Sequence, residues 1–162
     1  MYFSDLYHQL QHNLFLKFFV EAATVAILFY VGLTDFRTFK IRNNVLLLLV
    51  VLYFFYALFA RSWAEILLDV VRSAAVFGVL LWFYTRRVLG GGDVKLLAVV
   101  SLWVDLHCAL LFSVLLFVLI CLHLIAMKMR WVTTKPMAGG QGIPYAPSIA
   151  GALIGTIMLG CL

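Results

Sequence analysis

From residue 14 onward the chain is a series of six apolar runs, and its charged residues collect between them. The runs cover residues 14–33, 45–60, 65–85, 93–104, 108–127 and 147–162. About 20 apolar residues cross a bilayer core as a helix. In hydrocarbon the backbone has no water to bond, so a run of this kind must satisfy its own amides by coiling into a helix. The run 45–60 carries no charge at all. The whole chain is 65% hydrophobic and 12% charged, against about half and a quarter in soluble domains. The fold class expected is therefore all-α: a polytopic integral membrane protein of about six transmembrane helices, one domain over residues 1–162. The run 93–104 is short for a span. Residues 1–13 read as a polar, amphipathic lead-in. Lys17 and Glu21 lie near the start of the first run, where long side chains reach the interface. That run lacks a basic leader and a small-residue cleavage site, so it reads as a retained helix and not as a secretory signal.

The connectors orient the helices. Arg37, Lys40 and Arg42 follow the first run, Arg86 and Arg87 follow the third, and Lys128, Arg130 and Lys135 follow the fifth. The alternate connectors hold only Arg61, after the second run, and none after the fourth. Lys and Arg gather on the cytoplasmic side, so these three basic connectors face the cytoplasm and both termini face outward. The net charge of +5 follows this alternation and makes no single basic patch, so nucleic acid is not an expected partner.

In that orientation two acids share the cytoplasmic membrane edge: Asp35 after the first run and Asp93 at the start of the fourth. Asp5, Glu21, Glu65 and Asp105 map to the outer side. Asp69 has Arg72 three residues on, on the same helical face, and the two read as a neutralised pair. An acid at the mouth of an apolar segment costs free energy to keep and marks a functional site by default. Gly90, Gly91 and Gly92 lead straight into Asp93, giving a backbone able to turn sharply or approach another group closely. The bland reading of this stretch is a turn with a helix cap. The sharper one pairs Asp93 with Asp35. Two carboxylates sharing one proton can hydrolyse a peptide bond without a nucleophilic side chain, one activating water and the other polarising the carbonyl.

Other candidates are weaker. Cys108, Cys121 and Cys161 lie inside apolar runs without metal-ligand spacing and read as small buried hydrophobes. His8 and His12 share a helical face with no third ligand in view, so no metal and no cofactor is expected. Gly151 and Gly155 form a G-x-x-x-G suited to close helix packing, and Pro147 suits the first turn of the last helix.

Gly90-Gly91-Gly92-Asp93-Val94-Lys95 resembles the G-x-G-D motif of the type IV prepilin peptidases. Asp35 followed by Ile41 and Asn43 is similar to that family's first motif, with Arg42 where the family usually has Pro. The stretch 143–150, with Pro144, Tyr145 and Pro147, resembles its third. The resemblance implies an aspartic endopeptidase of the bacterial inner membrane that removes the leader of prepilins or pseudopilins at the cytoplasmic face, its substrate being a leader joined to a hydrophobic helix. It implies Asp35 and Asp93 as the catalytic dyad, Gly90 to Gly92 as a shaping loop, and Lys95, Asn43, Pro144, Tyr145 and Pro147 as supporting residues. Larger members add an N-methyltransferase region, some with paired cysteines. This chain has no room for it and is similar to the short forms that serve Flp, or tight-adherence, pili. Archaeal-type preflagellin peptidases share the dyad. The sequence leaves the particular prepilin and the oligomeric state open. Two further readings stand beside this one: a small transporter or channel in which the acids bind a cation or relay protons at a broken helix, and a non-catalytic scaffold in a pilus-assembly complex.

Overall fold

The computed structural model describes residues 2–38, 41–87, 89–129, 135–137, 140–142 and 145–161, with side chains described for 15–38, 41–87, 89–129 and 145–161. Six helices follow in order: α1 (Tyr2–Thr38), α2 (Asn43–Ala60), α3 (Trp63–Thr85), α4 (Gly91–Trp103), α5 (Leu106–Lys128) and α6 (Ala146–Met158). Four of them, α2, α3, α5 and the Phe15–Thr38 part of α1, are long and apolar enough to cross a membrane. The fold is that of an all-α multi-pass membrane protein, as the apolar runs predict.

Several boundaries differ from the sequence reading. The lead-in and the first run are one continuous helix, and that helix continues through Asp35 into what reads as a polar connector. α4 and α6 have 13 residues each, about 20 Å at 1.5 Å per residue, well short of a bilayer core. The last helix stops at Met158 and not at the chain's end. The connector after α5 carries a small antiparallel hairpin, β1 (Lys135–Met137) on β2 (Gly140–Gly142), with Lys135 opposite Gly142.

Local sequence explains where the helices start and stop. Ser62 and Glu65 form a capping box at the start of α3: the Ser62 hydroxyl accepts from the Glu65 amide and the Glu65 carboxylate accepts from the Ser62 amide at 2.8 Å. Pro147 lies in the first turn of α6, where its missing N–H costs nothing. Gly160 ends α6 with φ +75°. The amide of Gly160 bonds the Ile157 carbonyl and that of Cys161 bonds Thr156, a Schellman turn that a residue with a Cβ adopts only under strain.

The two short helices lie at the centre. α4 packs on α3, α2 and α6, while α6 packs on α1, α5 and α4. The longer α3 and α5 flank them, and α1 pairs with α2. The core joins Leu28, Leu49, Tyr53, Leu96, Trp103, Ile149 and Leu153. Gly151 and Gly155 do what the G-x-x-x-G spacing predicts. A Cβ on Gly151 would lie 3.1 Å from Leu119 Cδ1, and one on Gly155 3.2 Å from Leu115 Cδ1, so α5 and α6 approach closely because both positions are bare. The outward faces of α2, α3 and α5 are leucine, valine and phenylalanine, with Leu110 78% and Phe117 69% exposed. An apolar surface of this extent requires lipid.

One end of the bundle is held by buried charge. Asp69 accepts from the Tyr53 hydroxyl at 2.7 Å and pairs with Arg72 at 2.7 Å and Arg61 at 3.2 Å. Arg61 also grips Asp105, 2.6 Å away. That hydrogen bond and burial act on Arg61 in opposite senses, and the bond prevails, holding the guanidinium charged. Arg72 further donates to the Ser101 carbonyl, and Ser73 to that of Ala98. The Asp69–Arg72 pair read from the sequence is real, and Tyr53 and Arg61 complete it. Hydrogen bonds between membrane helices contribute about 0.6–2 kcal/mol each.

Candidate active site

The opposite end gathers residues from five segments. Asp35 lies on the last turn of α1 and Asp93 on the first turn of α4. Both are buried, at 5% and 8% exposure. The charge of Asp35 acts on Asp93, 58 positions further along the chain. Asp35 accepts a hydrogen bond from the backbone amide of Ala146, at the start of α6. Its Oδ2 has no hydrogen-bond partner among the described residues. A buried carboxylate oxygen without a donor is costly for stability.

Asp93 does not cap α4. Gly90 is the N-cap residue, without a side-chain cap, and Asp93 stands in the first turn of the helix, where a negative charge is favoured by the helix dipole. The three glycines each have a neighbour instead. A Cβ on Gly90 would lie 3.0 Å from Asp93 Oδ2, one on Gly91 3.3 Å from the Tyr84 ring, and one on Gly92 3.4 Å from Ile41. The run is bare because the Asp93 carboxyl, α3 and the α1–α2 connector press on it from three sides. Its φ at Gly90 is ordinary, −71°, so closeness and not backbone freedom calls for glycine there.

The supporting residues fall around the acids. Lys95 Nζ donates to Asn43 Oδ1 at 3.2 Å, tying the start of α4 to the start of α2. Tyr145 lies in the field of Asp93. Burial first and that charge second push its phenol above the ordinary range, so it stays protonated and able to donate. Pro147 packs on α1, where a Cβ on Gly32 would lie 3.5 Å from its Cα. This close contact lets the Ala146 amide reach Asp35. Pro144 lies outside the described residues. Sequence reasoning did not single out Ala146 or Tyr84. Ala146 offers only a backbone amide, and Tyr84, six residues before Gly90, meets Gly91 only through the packing of α3 on α4, so neither leaves a signal in residue type. A small depression of about 10 Å³ is lined by Tyr30, Val31, Thr34, Ile41, Arg42 and Val45. Among the described residues no cluster of His, Cys, Asp and Glu is placed to hold a metal.

The sequence profile of the type IV leader peptidase family matches residues 22–127. The match takes in both acids, the glycine run and five of the six helices. The chain belongs to the type IV leader peptidase family. No curated protein and no solved structure matches it significantly. The match ends before the third motif, so the part played by this leader-peptidase family member's Tyr145, Ala146 and Pro147 rests on their contacts alone.

One reading of the cysteines is overturned. Cys108 and Cys161 do not act as separate buried hydrophobes: they form a disulfide, with Cα atoms 5.8 Å apart and a sequence separation of 53. The spacing matches no known pattern, because the pairing depends on α5 and α6 lying side by side. Cys121 remains a free thiol.

Proposed function

We propose that this chain is a membrane aspartic endopeptidase that cleaves the leader from prepilins or pseudopilins at the cytoplasmic face of the bacterial inner membrane, with Asp35 and Asp93 as its dyad. The observation that carries the reading is the pair itself: two buried acids from distant segments, electrostatically joined, inside the region that matches the family. Two carboxyls so placed favour holding one proton between them, since ionising both in a poorly solvated site is opposed by burial and by repulsion. The ionised member takes a proton from water as the water oxygen attacks the scissile carbonyl carbon. The protonated member gives its proton to the carbonyl oxygen. The resulting diol collapses, the C–N bond breaks, and the proton returns to the leaving amine.

The supporting residues set the geometry. The Ala146 amide and the Gly32–Pro147 contact fix Asp35 on α1. The Lys95–Asn43 bond and the bare glycine run fix Asp93 on α4. The Tyr145 phenol, kept protonated, is a donor beside Asp93. The substrate's hydrophobic helix would lie in the bilayer beside the bundle while its leader junction meets the membrane edge. The whole chain acts as one peptidase domain with the termini outside, and it cleaves without N-methylation, as the short Flp-type forms do. Both acids at one edge and no internal repeat disfavour a transporter.

The test is co-expression with a candidate prepilin, leader loss followed by gel shift. Asp35→Asn and Asp93→Asn should each reduce cleavage by at least ~10³-fold, the scale of removing an acid or base from a concerted pair, with the protein still present in membranes. Cleavage that persists in either variant rules out the dyad.

A further inference from the structure

The two ends of the bundle are held differently. At the end away from the acids, Arg61 joins the α2–α3 connector to Asp105 in the α4–α5 connector. Three residues after Asp105, Cys108 is bonded to Cys161, just past α6. One turn of chain, 105–108, thus ties the ends of α2, α3, α4, α5 and α6 together. The position of Cys161 is itself built: the Gly160 turn, with its bonds to Ile157 and Thr156, swings the residue after α6 toward the start of α5. At the acid end the ties among the described residues are single hydrogen bonds, Lys95 to Asn43 and Ala146 to Asp35.

The position of the disulfide also bears on topology. Disulfides persist where the compartment is oxidising and are reduced in the cytosol. The charge of the connectors, a wholly independent property, assigns this same end to the outer side. Two arguments from different chemistry therefore select one orientation.

We propose that Cys108 and Cys161 are a target of an extracytoplasmic dithiol–disulfide oxidant, and that the bond it installs clamps α6 so that the acid site is fully assembled only after the outer face has been oxidised. In the exchange, the thiolate of one cysteine attacks a sulfur of the oxidant's disulfide and releases one oxidant thiol. The second cysteine's thiolate then attacks that mixed disulfide and releases the other. The two protein thiols lose two electrons and two protons, and the oxidant's disulfide becomes a dithiol. The consequence for the site runs along α6. α5 attaches to the bundle through α6, and α6 carries at its far end the Ala146 amide on Asp35 and the Pro147 contact on Gly32. Releasing the clamp frees the end of α6 and loosens the pair of contacts that orient Asp35.

The dependence of activity rests on the peptidase reading; the thiol chemistry does not. The test uses the full chain in proteoliposomes and in intact cells. Denatured protein is labelled with a maleimide–polyethylene glycol. Wild type from oxidising cells should gain one adduct, on Cys121, and three after reduction. A membrane-impermeant reductant acting from the outer side should lower the initial rate of prepilin cleavage at least threefold, and reoxidation should restore it. Cys108→Ser/Cys161→Ser should be slow from the start and insensitive to the reductant. Three adducts on untreated wild type, or reduction only by a reagent on the cytoplasmic side, would overturn the assignment. An intact disulfide whose reduction leaves the cleavage rate unchanged would overturn the clamp. A wild type that is oxidised yet cleaves no prepilin would count against the peptidase reading, while the single adduct would still support the disulfide.

Discussion

Replacing Gly90 with alanine tests whether the glycine run serves the Asp93 carboxyl or the backbone. Gly90 has φ −71° and ψ 145°, a conformation alanine adopts freely, so the backbone does not resist the change. The added Cβ would lie 3.0 Å from Asp93 Oδ2. Ordinary contact begins near 3.4 Å, so the carboxyl must retreat by about 0.4 Å. A misplacement of about 1 Å at a reacting group costs on the order of 10²-fold in rate. In proportion, Gly90→Ala should slow cleavage about sixfold, or roughly 1 kcal/mol of barrier. Gly78, within α3, has nothing within 4 Å of its virtual Cβ, and Gly78→Ala should leave the rate unchanged. The assay is single-turnover leader cleavage in proteoliposomes, below the melting temperature of both variants. Glycine is a better N-cap than alanine by a few tenths to about 1 kcal/mol, so a small loss of stability is expected and does not bear on the rate of the folded enzyme. A Gly90→Ala enzyme as fast as wild type, or a Gly78→Ala enzyme equally slowed, would refute the steric reasoning.

Four further outcomes follow from the same contacts. Tyr53→Phe removes the 2.7 Å donor to buried Asp69 and should destabilise the protein by about 1–3 kcal/mol, seen as a lower melting temperature in detergent with cleavage of the surviving protein intact. Gly151→Val should force Leu119 away and loosen α5 from α6, costing about 1–3 kcal/mol as overpacking does, read in the same melt. Lys95→Met breaks the bond to Asn43 at a cost of about 0.5–1.5 kcal/mol. Asn43→Ala should cost the same, and the double variant no more than either alone. Cleavage by wild type should show a bell-shaped pH profile, falling at low pH as the ionised member of the dyad is protonated and at high pH as the neutral member loses its proton. A profile flat from pH 4 to 9 would contradict a shared-proton pair, and the initial rate against pH measures it.

Much of this protein was legible along the chain. The apolar runs specify helices because hydrocarbon allows few other arrangements. The acids stood out because carboxylates at a membrane edge are costly. Gly151 and Gly155 were readable as a packing face. The local punctuation was less so: α1 runs through Asp35 because nothing in Thr34 to Thr38 stops a helix, although the charges there resemble a connector. The hairpin in the connector after α5 carries no alternating apolar pattern to announce it.

The sequence by itself determined the class, the number of helices, and the residue types available for chemistry, all of which depend on local composition and on the solvent around it. Only the tertiary structure decided partnership. It brought Asp35 and Asp93 to one end of the bundle, the Ala146 amide onto Asp35, Lys95 onto Asn43 and Arg61 onto Asp69 and Asp105. It also joined Cys108 to Cys161, against the reading of both as simple apolar residues. These pairings depend on which helices pack together, and α4 and α6 reach the centre through close contacts at small residues. That selection is made by shape across tens of residues of sequence, where periodicity and composition carry no record of it.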